Sequence, residues 1–530
     1  MASSFFSNPF LLPLLSLVCF SLFIESKTFV SATTRKQYIE LQHITDHYHH
    51  VPVTSFFPSS TCTSPQGGSR KGWLEVVHKH GPCSKPKQHT SSSSSFIIPH
   101  SEILEQDIAR VRAIQRKLWE ARRQASEQDR KSTTKTSEAS LDQAVAPAPA
   151  EVQLPAESGE IIGTGDYFVK VGLGTPAREL SLIFDTGSAL TWTQCLPCLR
   201  SDSCYTQNEP IFDPSKSSSY SNIPCPSSQC SQLFSATGNQ PTCSASSGDC
   251  LYHISYGDRS FSTGNYAKET LTINPAHVVN DFLFGCGHDN GGLFNGTDGI
   301  LGLSRNQISF VQQTSDIFHN IFSYCLPATA TDVGYLNFGG EPPSDNVIYT
   351  PFSSIPLSSY FYTLDLNGIS LAGHSLPITS SVFSSGVIID SGTVITWLPK
   401  AAYDPLRDAF RKAMSKYPMA PPFSILDTCY DLSGQDTVIV PKVTLSFGGG
   451  ANVDLDASGV LYALNETLVC LAFADNGDAR FPTIIGNTQQ RTLEVVYDVG
   501  GGKIGFRPHS CGGSSKFVTG VSPAIPPNPF

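Results

Sequence analysis

The sequence predicts a mainly β-sheet protein with two similar lobes, preceded by a segment of different composition. From Tyr167 onward, short runs rich in β-branched and aromatic residues alternate with Gly, Pro, Ser and Asn, which is typical of strands and turns. The stretch LIFDTGSALTW at 182–192 aligns without gaps with VIIDSGTVITW at 387–397. Residues 1–150 carry 17 basic and 12 acidic side chains, whereas residues 151–530 carry 18 and 33, so the charge changes sign between the two parts.

The first residues indicate export. An apolar run, LLPLLSLVCFSLFI at 11–24, is long enough for the core of a signal peptide and too short for a membrane span. Small residues at Val30 and Ala32 predict cleavage there, which defines a signal peptide at 1–32. The predicted destination is the secretory pathway, ending outside the cell (the apoplast) or in the vacuole. A plastid transit peptide, and therefore the chloroplast, is the alternative. We expect no membrane-spanning segment in the rest of the chain.

The cysteines support the same compartment. Of 15 cysteines, the last 12 form an even set, as expected of disulfides made under oxidising conditions. Their pairing stays open from the sequence alone. A zinc site at the first three of the set, Cys195, Cys198 and Cys204, is disfavoured because no histidine lies nearby in the sequence. Acceptor sequences predict N-glycosylation at Asn295 and Asn465.

Residues 33–150 are predicted to be a basic pro-segment. The run AVAPAPAEVQLP at 144–155 is typical of a flexible, protease-accessible linker. Before it, Leu104, Ile108, Val111 and Leu118 are spaced for a helix over about 101–130, whose other face is rich in Arg and Lys. We interpret this segment as an intramolecular inhibitor that covers an acidic cleft until low pH neutralises the carboxylates. An ordinary solvated helix is the alternative.

The eleven-residue repeat carries the chemistry. Each copy is an apolar strand that runs into a tight turn and presents one carboxylate, Asp185 in the first and Asp390 in the second. An apolar-apolar-Gly motif follows each copy, at 300–302 and 484–486. If the two lobes face each other, the two carboxylates meet and share a proton. One can then accept a proton from water while the other donates to a carbonyl oxygen, which is general acid–base hydrolysis without a metal or other cofactor.

With these motifs the chain resembles the pepsin-like aspartic proteases over about residues 163–511. The resemblance implies an all-β, bilobal β-barrel fold with few short helices, an active-site cleft between the lobes, and lobes at 151–345 and 346–530. It makes Asp185 and Asp390 the catalytic pair. It also implies that the hydroxyls of Thr186 and Ser391 lock the two loops together. The hydroxyls of Ser188 and Thr393 would orient the carboxylates, and Gly187 and Gly392 would be the turn glycines.

The segment SYGDRSFSTG resembles the flap hairpin of that family, with Tyr256 closing over substrate and pairing with Trp192. Gly257 and Asp258 follow the tyrosine as in the plant nepenthesin-like and chloroplast-nucleoid-type subgroup, and the cysteine-rich insertion between the first Asp and the flap is also typical of it. The resemblance implies six disulfides: Cys195–Cys198, Cys204–Cys286, Cys225–Cys250, Cys230–Cys243, Cys325–Cys511 and Cys429–Cys470.

The expected function is that of an aspartic endopeptidase, made as a monomeric zymogen with an acidic pH optimum and acting on proteins or peptides. One alternative is a non-catalytic inhibitor or binding protein on the same fold. Another is a protease whose basic pro-region also binds DNA, because LEVVHKHGPCS at 74–84 resembles the pro-region of members that include DNA-binding ones. The net charge of −15 over residues 151–530 argues against DNA binding by the mature form.

Overall fold

The computed structural model describes residues 47–56, 62, 73–84, 100–133, 167–256, 260–292, 294, 296–329, 331–355 and 360–508, with the side chains of the helix that begins at residue 100 described as far as residue 116. The predicted signal peptide, the linker at 144–155 and the C-terminal tail lie outside these residues.

Strands dominate the described residues. Two strands precede residue 167: β1 (Tyr48–Pro52) and β2 (Trp73–His78). Eleven follow up to residue 340: β3 (Tyr167–Leu173), β4 (Arg178–Asp185), β5 (Trp192–Gln194), β6 (Ser221–Asn222), β7 (Thr242–Cys243), β8 (Cys250–Ser255), β9 (Phe261–Asn274), β10 (His277–Gly291), β11 (Gly299–Gly302), β12 (Ile321–Cys325) and β13 (Gly334–Phe338). The remaining strands are β14 (Ile348–Pro351), β15 (Thr363–Leu364), β16 (Leu366–Leu371), β17 (His374–Ser375), β18 (Val387–Ile389), β19 (Thr396–Leu398), β20 (Met419–Ala420), β21 (Cys429–Asp431), β22 (Thr437–Pro441), β23 (Val443–Phe447), β24 (Asn452–Asp454), β25 (Leu461–Ala463), β26 (Leu468–Leu471), β27 (Phe473–Asp475), β28 (Thr483–Ile485), β29 (Leu493–Asp498) and β30 (Lys503–Pro508). The predicted all-β class is confirmed.

The α-helices of the described chain are few, and all but one are short. They are α1 (His100–Thr133), α2 (Ser228–Thr237), α3 (Phe310–Gln313), α4 (Ser315–Phe318), α5 (Lys400–Ala413) and α6 (Ala457–Val460). The long helix α1 covers the stretch predicted from its apolar spacing. In the described part of the chain, no helix is both long and apolar enough to cross a membrane.

One extended sheet joins the two halves of the chain. Its strands follow the order β14-β30-β29-β12-β13-β2-β3-β4-β11-β5-β10-β9-β8-β7, with β6 paired to β9. The second half adds a five-stranded sheet, β15-β18-β28-β19-β27, and two four-stranded sheets, β17-β16-β23-β24 and β20-β21-β26-β25. The inner faces of these sheets bury the apolar side chains of alternating strand positions, as the sequence pattern requires.

The sequence repeat folds into two equivalent units. In the first, β4 pairs in parallel with β11, which in turn pairs with β5. In the second, β18 pairs in parallel with β28, which in turn pairs with β19. The apolar-apolar-Gly motifs at 300–302 and 484–486 therefore lie beside the strands that lead into the two carboxylate turns, which explains why the two motifs recur in the same order.

The predicted pro-segment is built into both halves of the fold. Strand β2 lies between β13 and β3 in the extended sheet. Strand β1 pairs with β22 of the second half over five residues. Val51 and Val76 from these strands are fully buried in the main core. This segment is therefore held by sheet hydrogen bonds and apolar packing in addition to charge.

The disulfides correct the pairing that the family resemblance implied. Four of the implied bonds are wrong, because the structure joins Cys195 to Cys286, Cys198 to Cys204, Cys225 to Cys243 and Cys230 to Cys250. Neighbouring strands explain the first bond, since β5 runs parallel to β10, placing Thr193 opposite Cys286 and Cys195 one residue beyond β5. The implied Cys429–Cys470 bond is present across β21 and β26. Cys325 is disulfide-bonded, and its expected partner Cys511 lies outside the described residues.

A further disulfide, Cys62–Cys83, was not predicted and lies within the pro-segment.

Candidate active site

The two D-[ST]-G turns meet between the halves of the molecule. Asp185 is the last residue of β4, and Asp390 directly follows β18. The backbone N–H of Thr186 donates to Ser391 Oγ at 3.1 Å, and the N–H of Ser391 donates to Thr186 Oγ1 at 2.9 Å. This reciprocal pair joins the loops in the way that the family resemblance implied for these two hydroxyls.

The two carboxylates lie against each other's turns. The N–H of Gly187 donates to Asp185 Oδ1 at 2.9 Å, and the N–H of Gly392 donates to Asp390 Oδ1 at 3.1 Å. A methyl group added to Gly392 would lie 2.5 Å from Asp185 Oδ1, and one on Gly187 would lie 2.9 Å from Asp390 Oδ1. Each turn therefore has room for glycine alone, because Arg110 Nη2 and the carboxylate of the other lobe both lie within 3 Å of where a methyl group would be.

The hydroxyls expected to orient the carboxylates behave differently in the two loops. Thr393 Oγ1 donates to Asp390 Oδ2 at 2.6 Å, as expected. Ser188 Oγ, by contrast, is buried and makes no hydrogen bond with the described residues, so the expected bond to Asp185 is absent. Both oxygens of Asp185 instead accept from the guanidinium of Arg110.

Arg110 of helix α1 fills the space between the carboxylates. Its Nη2 atom lies 2.8 Å from Asp185 Oδ1 and 2.7 Å from Asp390 Oδ2. Its Nε atom donates to Asp390 Oδ2 at 3.0 Å and to Thr393 Oγ1 at 3.1 Å. The guanidinium is fully buried, so its charge interacts with both carboxylates without screening by solvent.

Asp107 holds the same helix to the second loop one turn earlier. Its carboxylate accepts from the N–H of Val394 at 2.6 Å, from the N–H of Ile395 at 3.1 Å and from Trp397 Nε1 at 3.0 Å. Burial nevertheless raises the pKa of Asp107 to about 7, because the three hydrogen bonds and the charge of Arg110 offset only part of the desolvation. Asp107 and Arg110, one carboxyl side chain and one cationic side chain, are thus both placed in the cleft by helix α1.

The electrostatics of the pair are dominated by burial. Desolvation raises the pKa of the Asp185 carboxyl, the charge of Arg110 lowers it, and the nearby Asp390 raises it again. The net direction is upward, which is the behaviour of a carboxyl that favours its protonated form in a dry site next to a second carboxyl. Such a site is suited to proton transfer near acidic pH.

Apolar side chains of α1 pack on both sides of Arg110. Leu104 and Ile114 are fully buried in a cluster with the aromatic residues of the cleft. In that cluster, Trp192 Nε1 donates to the hydroxyl of Tyr256 at 2.5 Å, which forms the pair expected at the base of the flap. The next flap residues, Gly257 and Asp258, and the sequon residue Asn295 lie outside the described residues.

The second sequon, at Asn465, is exposed in the turn between β25 and β26. Its Oδ1 atom accepts from the N–H groups of Thr467 at 3.1 Å and Leu468 at 2.9 Å. Within the described ranges, no group of three or more His, Cys, Asp or Glu side chains is arranged to hold a metal ion.

Sequence reasoning missed Arg110 and Asp107. The available signal was their position, because both lie on the helix face that also carries Leu104, Val111 and Ile114, three or four residues apart. Charged residues on the buried face of a helix require partners, and the partners here come from the two carboxylate loops.

The paired loops, the glycine turns and the two-lobed sheet define the class of pepsin-like aspartic proteases. Comparison with known proteins agrees: the family models Xylanase inhibitor N-terminal and Xylanase inhibitor C-terminal match residues 167–340 and 361–508. An aspartyl protease family protein of Arabidopsis thaliana is 48% identical, with 87% of this chain and 93% of the relative covered. Aspartic proteinase nepenthesin-1 of Nepenthes gracilis is 34% identical, with 68% and 81% covered.

Solved structures confirm the fold. Basic 7S globulin from soybean superposes with a TM-score of 0.52 at 20% identity, covering 64% of this chain and 91% of the globulin. Conglutin gamma from lupine seeds gives a TM-score of 0.51 at 22% identity, with 66% and 93% covered. The chain belongs to the plant pepsin-like aspartic protease family that includes the nepenthesins. It is an aspartic endopeptidase.

Proposed function

We propose that Asp185 and Asp390 are the catalytic pair of this endopeptidase and that residues 33–150 are its inhibitory pro-segment, so that the chain is a zymogen. One observation supports both parts most directly: a single nitrogen of Arg110 lies within 2.8 Å of both carboxylates. A buried cation placed between two carboxylates on different lobes indicates that these oxygens face a common reaction space and that the helix fills it.

In the open cleft the pair performs general acid–base hydrolysis. Two neighbouring carboxyls hold one proton between them, because both cannot ionise at close range. The ionised member accepts a proton from a bound water while the protonated member donates to the carbonyl oxygen of the scissile bond. The resulting tetrahedral intermediate then breaks its C–N bond, and a carboxyl gives its proton to the departing nitrogen. Water is consumed, and a carboxylic acid and an amine are released.

With α1 in place, each requirement of this reaction fails. The guanidinium of Arg110 donates to the oxygens of both carboxylates, which leaves no room for the water that the reaction consumes. The guanidinium also occupies the space between Asp185 and Asp390, and the buried apolar residues around it exclude the substrate backbone.

Acidic release of the segment is supported by three of its histidines, of which His78 is buried and His80 and His100 are partly buried. His78, at the end of β2, is 6% exposed and its pKa is lowered well below the usual value by burial and by the neighbouring His80, Arg491 and His100. Burial and nearby positive groups lower the pKa values of His80 and His100 from 6.5 to about 4. Docking therefore keeps these imidazoles neutral, so the docked state has its full stability above pH 6.5 and loses it as pH falls toward 4.

Asp107 has the opposite linkage. The pKa of Asp107 is about 7 in the docked state and 3.8 ordinarily. Protonation of Asp107 therefore stabilises the docked state as the pH falls from 7 toward 3.8. The raised pKa of the Asp185 carboxyl acts in the same direction as that of Asp107. Release in acid therefore requires that protonation of the three histidines outweighs protonation of these two carboxyls.

Export, with glycosylation of Asn465, belongs to the same proposal. The six disulfides between described cysteines need an oxidising compartment, and Asn465 is exposed. The compartment in which the protein finally acts follows from its acid activation, which favours the vacuole or the apoplast.

Hydrolysis of a denatured protein by the acid-treated chain tests the catalytic assignment. We expect cleavage between about pH 2 and 6 that pepstatin abolishes and that Asp185→Asn and Asp390→Asn each reduce by about 10³-fold or more. Correctly folded protein, freed from residues 33–150, that cleaves nothing would sink the assignment and favour the non-catalytic inhibitor instead.

A further inference from the structure

A chain of buried hydrogen bonds runs beneath the two catalytic loops. It starts at the peptide unit between Asp390 and Ser391. The carbonyl of this unit accepts from Gln490 Nε2 at 3.2 Å, and its N–H donates to Thr186 Oγ1 at 2.9 Å. The side chain of Gln490 leads on to two tyrosines of the extended sheet, Tyr324 on β12 and Tyr497 on β29.

The partners fix the direction of every bond in this chain. Gln490 Nε2 donates to Asp390 O and, at 3.1 Å, to Ile485 O, so its Oε1 atom is the acceptor and receives the hydroxyl proton of Tyr324. Tyr324 has then used its only donor, so the Tyr497 hydroxyl, 2.9 Å away, must donate to it. Thr186 lies near the hydroxyl of Tyr497 and lowers its pKa, against the larger effect of burial.

The hydrogen bonds therefore run from Tyr497 through Tyr324 and Gln490 to the Asp390 carbonyl. Thr186, beside Tyr497, holds the N–H of the same peptide unit. The four side chains are at most 1% exposed, so water cannot replace any of these bonds. Because the peptide unit is planar, holding its N–H and its C=O fixes the plane from which the Asp390 side chain projects.

The first loop is held differently. The carbonyl of Asp185 accepts from the backbone N–H of Leu303 at 2.8 Å. In the second loop the corresponding residue after the apolar-apolar-Gly motif is Asn487, whose N–H donates to Thr393 O at 2.6 Å. The carbonyl of Asp390 therefore accepts its hydrogen bond from a side chain, whereas the carbonyl of Asp185 accepts one from the backbone. A side-chain donor can be removed by substitution.

We propose that Tyr324, Tyr497 and Gln490 are positioning residues for the peptidase reaction: they set the orientation of the Asp390 carboxyl relative to Asp185. This inference rests on the catalytic pair proposed above. None of the three side chains is hydrogen-bonded to a carboxylate oxygen of Asp185 or Asp390 in the described structure, and they act through the carbonyl of the 390–391 peptide. Proton sharing between two carboxyls depends on their separation and angle, so a small rotation of this peptide changes the chemical step more than substrate binding.

Tyr324→Phe, compared with Tyr417→Phe, separates this role from ordinary core stabilisation. Tyr417 is also buried, and its hydroxyl accepts one backbone hydrogen bond, from the N–H of Ile439 at 2.7 Å, away from the two loops. Both changes remove one hydroxyl and leave the ring. The measurements are kcat and KM for a fluorogenic peptide over the acidic pH range, and the thermal midpoint of each activated enzyme.

We expect Tyr324→Phe to lower kcat by about tenfold or more, with KM changed less than about twofold and a narrower pH profile. Tyr417→Phe should lower the thermal midpoint by a similar amount and leave kcat within about twofold. A Tyr324→Phe enzyme with normal kcat and pH profile would overturn the inference. If that variant does not fold, Tyr497→Phe, which removes the next hydroxyl of the chain of hydrogen bonds, is held to the same criteria.

Asp185→Asn, assayed alongside, distinguishes failure of the inference from failure of the proposed function. Normal activity in Tyr324→Phe together with an inactive Asp185→Asn overturns the inference alone. Full activity in Asp185→Asn overturns the catalytic pair and the inference with it.

Discussion

At the scale of single residues, the geometry around the two carboxylates leaves almost no free volume. Gly392 faces Asp185 so closely that a side chain cannot be added without moving the opposite lobe. The sequence predicted this position correctly as part of a D-[ST]-G turn. It could not reveal the reason, because the contact joins residues 207 positions apart in the chain.

Gly392→Ala should therefore abolish activity. The added methyl would lie 2.5 Å from Asp185 Oδ1, which forces the two loops apart and separates the carboxyls. We expect kcat/KM to fall by about 100-fold or more in a peptide hydrolysis assay of the activated enzyme. The control is Gly368→Ala, where an added methyl meets no atom within 4 Å. Equal activity in the two variants would contradict the proposed contact between the lobes.

Residues that act through others were beyond sequence reasoning. Tyr324, Tyr497 and Gln490 look like ordinary positions in strands and turns, and only the fold brings them under the 390–391 peptide. The prediction for Ser188 was wrong in the opposite way, because it assigned a contact that the structure does not contain. Its position in the motif implied a hydrogen bond to Asp185, which is absent while Arg110 is docked.

At the scale of structural elements, the predicted helix α1 and the two repeat units were the most predictable features. Hydrophobic spacing predicts a long amphipathic helix well, and an eleven-residue repeat predicts two equal strand–turn units. Strand partners were not predictable, since β1 and β2 pair with strands hundreds of residues away. The disulfide pattern implied by the family resemblance was wrong at four bonds, and cysteine spacing alone does not encode pairing. Of the four observed bonds, Cys195–Cys286 follows from the pairing of neighbouring strands.

Disulfide mapping tests the corrected pattern. Digestion without reduction, followed by mass spectrometry, should yield peptides that join Cys195 to Cys286 and Cys198 to Cys204. The first bond follows from the parallel pairing of β5 with β10. A peptide with Cys195 bonded to Cys198 would contradict this part of the structure and restore the pairing implied by the family resemblance. The Cys429–Cys470 peptide serves as an internal control, because both patterns contain it.

At the scale of the whole molecule, the segment before residue 167 contacts both lobes. Strand β2 completes the sheet between them, β1 covers β22, and α1 fills the cleft. The sequence predicted a basic segment over an acidic cleft. In the structure the specific contacts of the segment with the cleft are made by Arg110 and Asp107, and His78, His80 and His100 lie wholly or partly buried elsewhere in the segment.

The pH at which the precursor converts should depend on these histidines. In the double variant His80→Gln and His100→Gln, two groups that bind protons on release no longer titrate, so release needs a lower pH. We expect the midpoint of conversion, followed by gel electrophoresis over a pH series, to fall by about 0.5 to 1 pH unit with a shallower dependence. His374→Gln, at an exposed histidine of the second lobe, is the control. An unchanged midpoint in the double variant would assign the acid response to other groups.

Conversion of Arg110→Ala precursor, measured against pH beside wild type and Arg112→Ala, tests the inhibitory role of α1 most directly. Removing the guanidinium leaves two carboxylates facing each other without a cation, which destabilises docking of the helix. Arg112 is exposed on the same helix, so its loss removes an equal charge without touching the cleft. We expect Arg110→Ala to become active at a higher pH and more rapidly than wild type, and Arg112→Ala to behave as wild type. If Arg110→Ala converts at the wild-type pH and rate, the helix does not restrain the enzyme through Asp185 and Asp390, and the zymogen mechanism proposed for this chain is wrong.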